Sequence, residues 1–268
     1  MTDFAKKWEI LKQEIAHGTG DGVWLLHHAS YLLRIDGTLF LVDPVLDAEE
    51  LHHAESELIS VLHAVRFVLL THLHSDHFDI ETIRALKDIP CLWIMPAFMT
   101  ENERAQLPID AAKIRFVQSG ETLELGNCTI SPFDSMHYDW YKGELYGVPE
   151  TGYMVTVSGK RILLPGDIRS YNEAPPLPET DILFAHVWLG RQMALDAGDN
   201  EESEFAAYFA RTHAKIVFLT HLYDMGREKC DLWTEEHAHR IAAKLQKMLP
   251  NADIRIPSHG VFEKTERE

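Results

Sequence analysis

The chain has 268 residues, 46% of them apolar and 25% charged, and a formal net charge of −17. This is the profile of a soluble globular protein with chain enough for a core that needs no staples, and the acidic balance without any basic block argues against a nucleic-acid footprint, because phosphate contacts need clustered Lys and Arg. A small anionic substrate held by one or two local cations remains compatible with it, as does a homo-oligomer.

Three cysteines, Cys91, Cys128 and Cys230, are far apart and form no Cys-x-x-Cys pair. They predict no disulfide framework and a reducing compartment. The opening stretch, MTDFAKKWEILKQEIAHG, is charged throughout and lacks the apolar centre of a secretory signal. Phe4, Trp8, Leu11 and Ile15 share one helical face, which predicts a helix within 1–20 docking on the body. No apolar run approaches the ~20 residues of a membrane span. These features together predict a cytoplasmic protein of one domain, 1–268.

Three β-type runs follow, VWLLHH, SYLLRID and TLFLVDP, with Asp36-Gly37-Thr38 as a hairpin turn signal. A helix is expected over 47–64, then the strand RFVLL. Asp79 can cap a helix over 80–87, CLWIM reads as a strand stopped at Pro96, and 97–106 reads as helix. The middle is β-rich: KIRFVQ, ETLEL, CTISPFDSMH, GYMVTVSG and RILLPGD, with tight turns at Gly126-Asn127 and 158–160. Then come DILFAHVW as strand, EESEFAAYFARTH as helix, KIVFLTH as strand, 234–248 as helix and ADIRIP as a last strand. Strands, helices, strands and then alternation fit two mixed sheets with helices outside better than a doubly wound parallel sheet. An internal echo, VLLTHLHSD against VFLTHLYD, hints at two similar halves whose strand ends meet at one site.

The segment THLHSDHF concentrates ligating side chains after an apolar strand. His72 and His74, two apart, point the same way in extended chain, and Asp76 and His77 point differently, which suits a second ion beside the first. The remaining ligands should lie at other strand ends. His137, Asp167 (after a permissive Gly166) and His221 each end an apolar run.

THLHSDH, isolated His137, PGD at 165–167 and LTH at 219–221 resemble the metallo-β-lactamase superfamily. The entry strands are similar to the branch that includes the ascorbate-6-phosphate lactonase, with His28 and Asp43-Pro44 at its recurring positions. The resemblance implies a four-layer αββα sandwich of two mixed sheets flanked by helices. It implies one metal on His72, His74 and His137, and another on Asp76, His77 and His221, with Asp167 bridging. Two divalent ions, zinc or manganese, would carry a bridging hydroxide as the nucleophile, with Asp76 and His221 also counted as catalytic. Flavodiiron oxidoreductases of this fold carry Glu where this chain has His74, and imidazole suits zinc.

Seven of the sixteen histidines, His17, His52, His53, His63, His213, His237 and His239, fall in polar helical patterns and receive no role. His186 reads as a core histidine rather than a ligand. His28 reads as orienting a ligand, and His259 is the rival for the last ligand, with His221 preferred because it echoes the first cluster. The aromatic stretch 138–150, with Tyr138 and Trp140, is either a substrate lid or a packed flap. Arg191 and Arg169 are candidates for an anionic group, with surface pairing favoured for Arg169. The expected activity is hydrolysis of an ester-like bond, and the resembled branch implies a phosphorylated or plain lactone as its substrate. The rival readings are ribonuclease Z-like phosphodiester hydrolysis and a non-hydrolytic redox or binding role.

Overall fold

The computed structural model describes residues 3–46, 62–141, 144–190, 199–224, 227–228 and 232–265, apart from the side chains of 3–8, 139–141 and 199. In chain order the elements are α1 (Asp3–His17), β1 (Gly22–Leu25), β2 (Tyr31–Ile35), β3 (Thr38–Val42), β4 (Val65–Leu69), α2 (Ile80–Leu86), β5 (Leu92–Pro96), α3 (Glu101–Ala105) and β6 (Ile114–Val117). Next are β7 (Leu123–Leu125), β8 (Cys128–Ser135), β9 (Tyr138–Tyr141), β10 (Glu144–Gly147), β11 (Glu150–Val157) and β12 (Lys160–Leu164). The last are β13 (Ile182–His186), α4 (Asp199–Ala210), β14 (Ile216–Thr220), α5 (Glu235–Met248), β15 (Asp253–Arg255) and β16 (Phe262–Lys264). The chain forms two compact units, Met1–Val117 with Ser258–Glu268, and Gln118–Pro257.

The first unit holds a seven-stranded sheet in the order β16-β1-β2-β3-β4-β5-β6. Pairing is antiparallel from β16 to β3 and parallel from β3 to β6. Asp36 and Gly37 both sit at positive φ (45° and 71°), the left-handed pair that a two-residue hairpin turn requires. Trp24, Leu32, Leu41, Val68, Trp93 and Met95 centre the core, and Leu11 of α1 is buried in it with Ile15 beside it. Phe4 and Trp8 have side chains outside those described.

The second unit repeats the plan in the order β7-β8-β11-β12-β13-β14-β15. Pairing is antiparallel from β7 to β12 and parallel from there on. Every residue of β13 and β14 is buried, as strands covered on both faces must be. The helices α4 and α5 carry the crossovers, and Phe205, Phe209 and Ile241 from them join Leu183 and Val217 in the core. Buried Glu202 of α4 accepts from Arg240 Nε of α5 at 2.7 Å, with Lys244 Nζ at 3.6 Å.

The mixed-sheet class is as expected, with local corrections. The helix expected over 97–106 starts only at Glu101, because Thr100 forms a capping box with Glu103. The stretch 138–150 contains a hairpin, β9 on β10, in place of a plain loop. Strand β16 was not expected. Phe262 packs on Trp24 at 4.7 Å, and a Cβ on Gly22 would stand 1.9 Å from the Phe262 ring, so the strand's close seat depends on glycine. The helix expected at 47–64 falls almost wholly outside the described residues. Among the described residues no helix is long and apolar enough to cross a membrane. Cys91 and Cys128 are buried and unbridged, and burial pushes the Cys91 thiol up to about 11.

Arg240→Ala should destabilise the protein by about 2–3 kcal/mol, because it strips a buried carboxylate of its main partner while Lys244 remains. A lowered urea midpoint with an unchanged m value is the expected reading; a shift under about 0.5 kcal/mol would show the pair to be dispensable.

Candidate metal centre

In the first unit the site grows from the end of β3. Asp43 takes a left-handed conformation (φ 42°) and is fully buried. Its Oδ1 accepts the Thr71 N–H at 2.7 Å, and its Oδ2 accepts the Thr71 hydroxyl at 2.6 Å. His77 Nδ1 lies 2.8 Å from the same Oδ2. A carboxylate can only accept, so His77 donates from Nδ1, and in its neutral form it presents a lone pair at Nε2.

The same reasoning fixes His72. Thr71 has one hydroxyl proton and gives it to Asp43. Its Oγ1 can therefore only accept from His72 Nδ1, 3.0 Å away. His72 Nε2 then presents a lone pair, and it stands 3.1 Å from His74 Nδ1. Two ring nitrogens at that distance share either a proton or a cation. His77 and Phe78 both donate their N–H to the His74 carbonyl, which tightens the segment into a turn and brings the His72 and His77 rings to 4.1 Å. Asp76 lies within that turn, its Oδ2 3.9 Å from His77 Nε2.

In the second unit the centre is Asp167, three residues past β12. Its N–H donates to buried Glu150 Oε1 at 2.9 Å. Gly166 has φ 75°, and a Cβ there would stand 2.2 Å from that oxygen, so only glycine lets the backbone reach Glu150. Asp167 Oδ1 lies 2.6 Å from His186 Nδ1, and Oδ2 lies 3.3 Å from His221 Nε2. Its carbonyl accepts from His137 Nδ1 at 2.7 Å, which leaves Nε2 as that ring's lone-pair atom. His221 leaves β14 in the left-handed region (φ 63°), where histidine is uncommon and a functional constraint is the usual reason. Asp167, His186 and His221 each offer a ligating atom within 4.8 Å of the others.

Each unit therefore gathers expected ligands: His72, His74, Asp76 and His77 in one, His137, Asp167 and His221 in the other. The donors are imidazole and carboxylate without thiolate, a set that fits zinc or a similar divalent ion. Sequence reading left two contacts unidentified. His186 is the buried, satisfied histidine expected, and the group that satisfies it is Asp167. Glu150 had no signal at all, since a Glu before an apolar strand reads as a solvated end. His28 lies with His27 and His259, ring centroids 4.1 Å and 6.4 Å from its own. His259 thus belongs to the first unit's β1 edge. Tyr138 is half-buried at the start of β9, where its carbonyl accepts the Ser170 hydroxyl at 2.9 Å. The side chain of Trp140 and all of Arg191 lie outside the described residues.

A family model described as a beta-lactamase superfamily domain matches residues 38–222, which include all seven expected ligands but neither His28 nor His259. A metal-dependent hydrolase of Paracoccus denitrificans is 26% identical over 178 residues, 65% of this chain and 69% of that protein. Two solved structures share the fold. A metallo hydrolase from the archaeon Ignicoccus hospitalis has a TM-score of 0.64 at 14% identity, covering 93% of this chain and all of that one. The diiron beta-hydroxylase CmlA from Streptomyces venezuelae has a TM-score of 0.64 at 16% identity, covering 91% of this chain and 54% of that one.

Asp43→Asn places an amide N–H₂ against donors and releases the His77 tautomer. Metal affinity should fall by about 10–100-fold, the usual consequence of losing a partner behind a histidine ligand. Competition with a chromophoric chelator measures it, and an unaltered affinity would disconnect Asp43 from metal binding.

Proposed function

The chain belongs to the beta-lactamase superfamily, and on that premise we propose that it is a metal-dependent hydrolase whose two ligand sets serve one dinuclear centre. In this reading His72, His74 and His137 hold one divalent ion, Asp76, His77 and His221 hold the other, and Asp167 bridges. The observation that carries it is the tautomer pattern. His72, His77 and His137 each have Nδ1 committed to an oxygen and Nε2 left as a lone pair, the state in which imidazole binds a metal. The matched span favours His221 over His259 as the last ligand, since only His221 falls within it.

Zinc or manganese bound there would supply a water of lowered pKa, near ~7 for zinc, and a Lewis acid for the scissile carbonyl. The chain's own residues do the positioning. Asp43 orients His77. Glu150 fixes the backbone of Asp167, and His186 holds one of its carboxylate oxygens, so the bridging carboxylate is pre-set. Asp76 would bind the second ion and orient the water. The substrate is a small molecule with an ester-like bond, best read as a lactone from the branch that the entry strands resemble. The buried thiols support a cytoplasmic setting.

A non-hydrolytic oxidative role is the second reading, because the fold is shared with part of CmlA, a diiron beta-hydroxylase. His74 in place of a carboxylate counts against it. Phosphodiester hydrolysis finds little support in a chain of net charge −17.

Elemental analysis should find close to two transition-metal ions per chain, counted from the ligand sets. His221→Ala should lose the second ion and turnover, while His259→Ala should keep both ions bound. A protein that takes up neither zinc nor manganese would end the reading, and the reverse pattern would exchange the two histidines.

Asp76→Asn keeps the shape and removes the charge. Turnover of a lactone panel should drop by ~10²-fold or more with folding intact, the scale of one preorganised electrostatic element. In labelled water one label should enter the acid product. Wild-type turnover in the variant, or a covalent adduct on a side chain, would refute this mechanism.

A further inference from the structure

The loop that delivers Asp167, Pro165-Gly166-Asp167, is gripped by two residues that face each other on neighbouring strands. Ser135 ends β8 and Glu150 opens β11, and the two are register partners in the antiparallel β8–β11 pair. Both are buried. The Ser135 hydroxyl donates to the Pro165 carbonyl at 2.6 Å. Glu150 Oε1 accepts the Asp167 N–H at 2.9 Å. Between these two bonds Gly166 packs against the Glu150 carboxyl, where a Cβ would stand 2.2 Å from Oε1 and 2.4 Å from Cδ.

The same corner holds His137. Glu150 is preceded by Gly147, Val148 and Pro149. The Val148 N–H donates to the His137 carbonyl at 3.3 Å. Gly147 (φ 122°) comes so near that a Cβ would stand 1.9 Å from that oxygen. The His137 ring closes the circuit, because its Nδ1 donates to the Asp167 carbonyl at 2.7 Å. The peptide groups on both sides of Asp167 are therefore tied, one to Glu150 and one to His137. Pro149 has a fixed φ and restricts Val148 to extended backbone, so the span from Gly147 to Glu150 reaches both ligands as a stiff piece of chain.

Folding alone does not call for this pair. Facing positions at the buried end of an antiparallel ladder are served as well by apolar side chains, and replacing buried polar groups with packed apolar ones is often neutral or stabilising. A buried carboxyl carries a desolvation cost that an apolar side chain does not. What the pair provides is position: it fixes one peptide group on each side of Gly166, immediately before the carboxylate that the site uses.

We propose that Ser135 and Glu150 are positioning residues of the metal centre, a cross-strand pair that sets the Asp167 carboxylate relative to the His137 ring. This rests on the metal-dependent hydrolase reading, in which both side chains are ligands, and adds the residues that hold them in register. Glu150 serves as an acceptor for the Asp167 N–H, and its negative charge is not what the site needs. Ser135 serves as a donor to the Pro165 carbonyl. Both act through Asp167 and neither binds the ion.

Three measurements test this together: zinc affinity by competition with a chromophoric chelator, the visible spectrum of the cobalt-loaded protein, and urea unfolding of the metal-free protein. Glu150→Ala should weaken zinc binding by ~10–100-fold and alter the cobalt spectrum, the usual consequence of losing a group behind a ligand. Glu150→Gln keeps a carbonyl oxygen for the Asp167 N–H, and should stay within about threefold of the wild type with the same spectrum. Ser135→Ala should weaken zinc by about 2–10-fold, the range of one neutral hydrogen bond, and Ser135→Thr should restore it. Alanine variants that lower the urea midpoint of the metal-free protein, yet hold zinc with wild-type affinity and spectrum, would make the pair merely structural and overturn the proposal. Binding as weak in Glu150→Gln as in Glu150→Ala overturns the acceptor role. If Glu150→Ala does not fold, the Ser135 variants decide: a loss in Ser135→Ala that Ser135→Thr restores supports the pair, and wild-type affinity in Ser135→Ala overturns it. A wild type that binds zinc but cleaves no ester ends the hydrolase reading alone, and the affinities still decide the pair. A wild type that binds no zinc ends both.

Discussion

A buried carboxylate at the strand where the sheet changes from antiparallel to parallel organises each unit of this protein. Asp43 follows β3 and Asp167 follows β12, and both strands have an antiparallel neighbour on one side and a parallel neighbour on the other. Chain connections diverge at such a switch, which leaves room beyond the carboxyl ends of the strands for a site. A carboxylate placed there out of water must collect donors or pay several kcal/mol. Asp43 collects Thr71 and His77. Asp167 collects His186 on one side-chain oxygen, while its own N–H is satisfied by Glu150. Those bonds set the imidazole tautomers, and the tautomers decide which nitrogen can take a metal.

The repetition between the units is topological rather than local. In each sheet the strand next to the switch, β4 or β13, sends a histidine to the switch aspartate: His77 to Asp43 at 2.8 Å, His186 to Asp167 at 2.6 Å. The Thr-His-Leu echo in the sequence marks a different pair of strands, β4 and β14, which are not equivalent in sheet order. So the echo pointed to a likeness of the halves, while the sheet order matches different strands. The matching partner of β4 is β13, whose terminal histidine looked like core.

Strain and glycine mark the same places. Asp43 and His221 hold positive φ without being glycine, at a cost of order 1–3 kcal/mol each where nothing else demands it. Gly166 and Gly147 permit close approaches that no Cβ would survive, one at Glu150 and one at the His137 carbonyl. In the second unit the fully buried strands β13 and β14 supply packing that keeps the His221 conformation in place.

The sequence by itself determined the class of fold and which candidate ligands end the apolar runs, because both are written in short-range terms. Apolar runs bounded by turn residues give strands, and a ligand at a run's end gives a candidate whatever the run packs against. The candidates His72, His74, Asp76, His77, His137, Asp167 and His221 were all chosen in this way. What only the tertiary structure decided is everything that rests on contacts between distant strands. Glu150 reaches the Asp167 N–H across 17 positions, His186 reaches its carboxylate across 19, and the Asp43–His77 bond spans 34. Strand β16 found its place on β1 from the far end of the chain. The stacking of Arg169 and Arg227 on one indole likewise joins loops that no local pattern links. Periodicity along a chain records which face a side chain takes, and it holds no information on which side chain from another strand will meet it there.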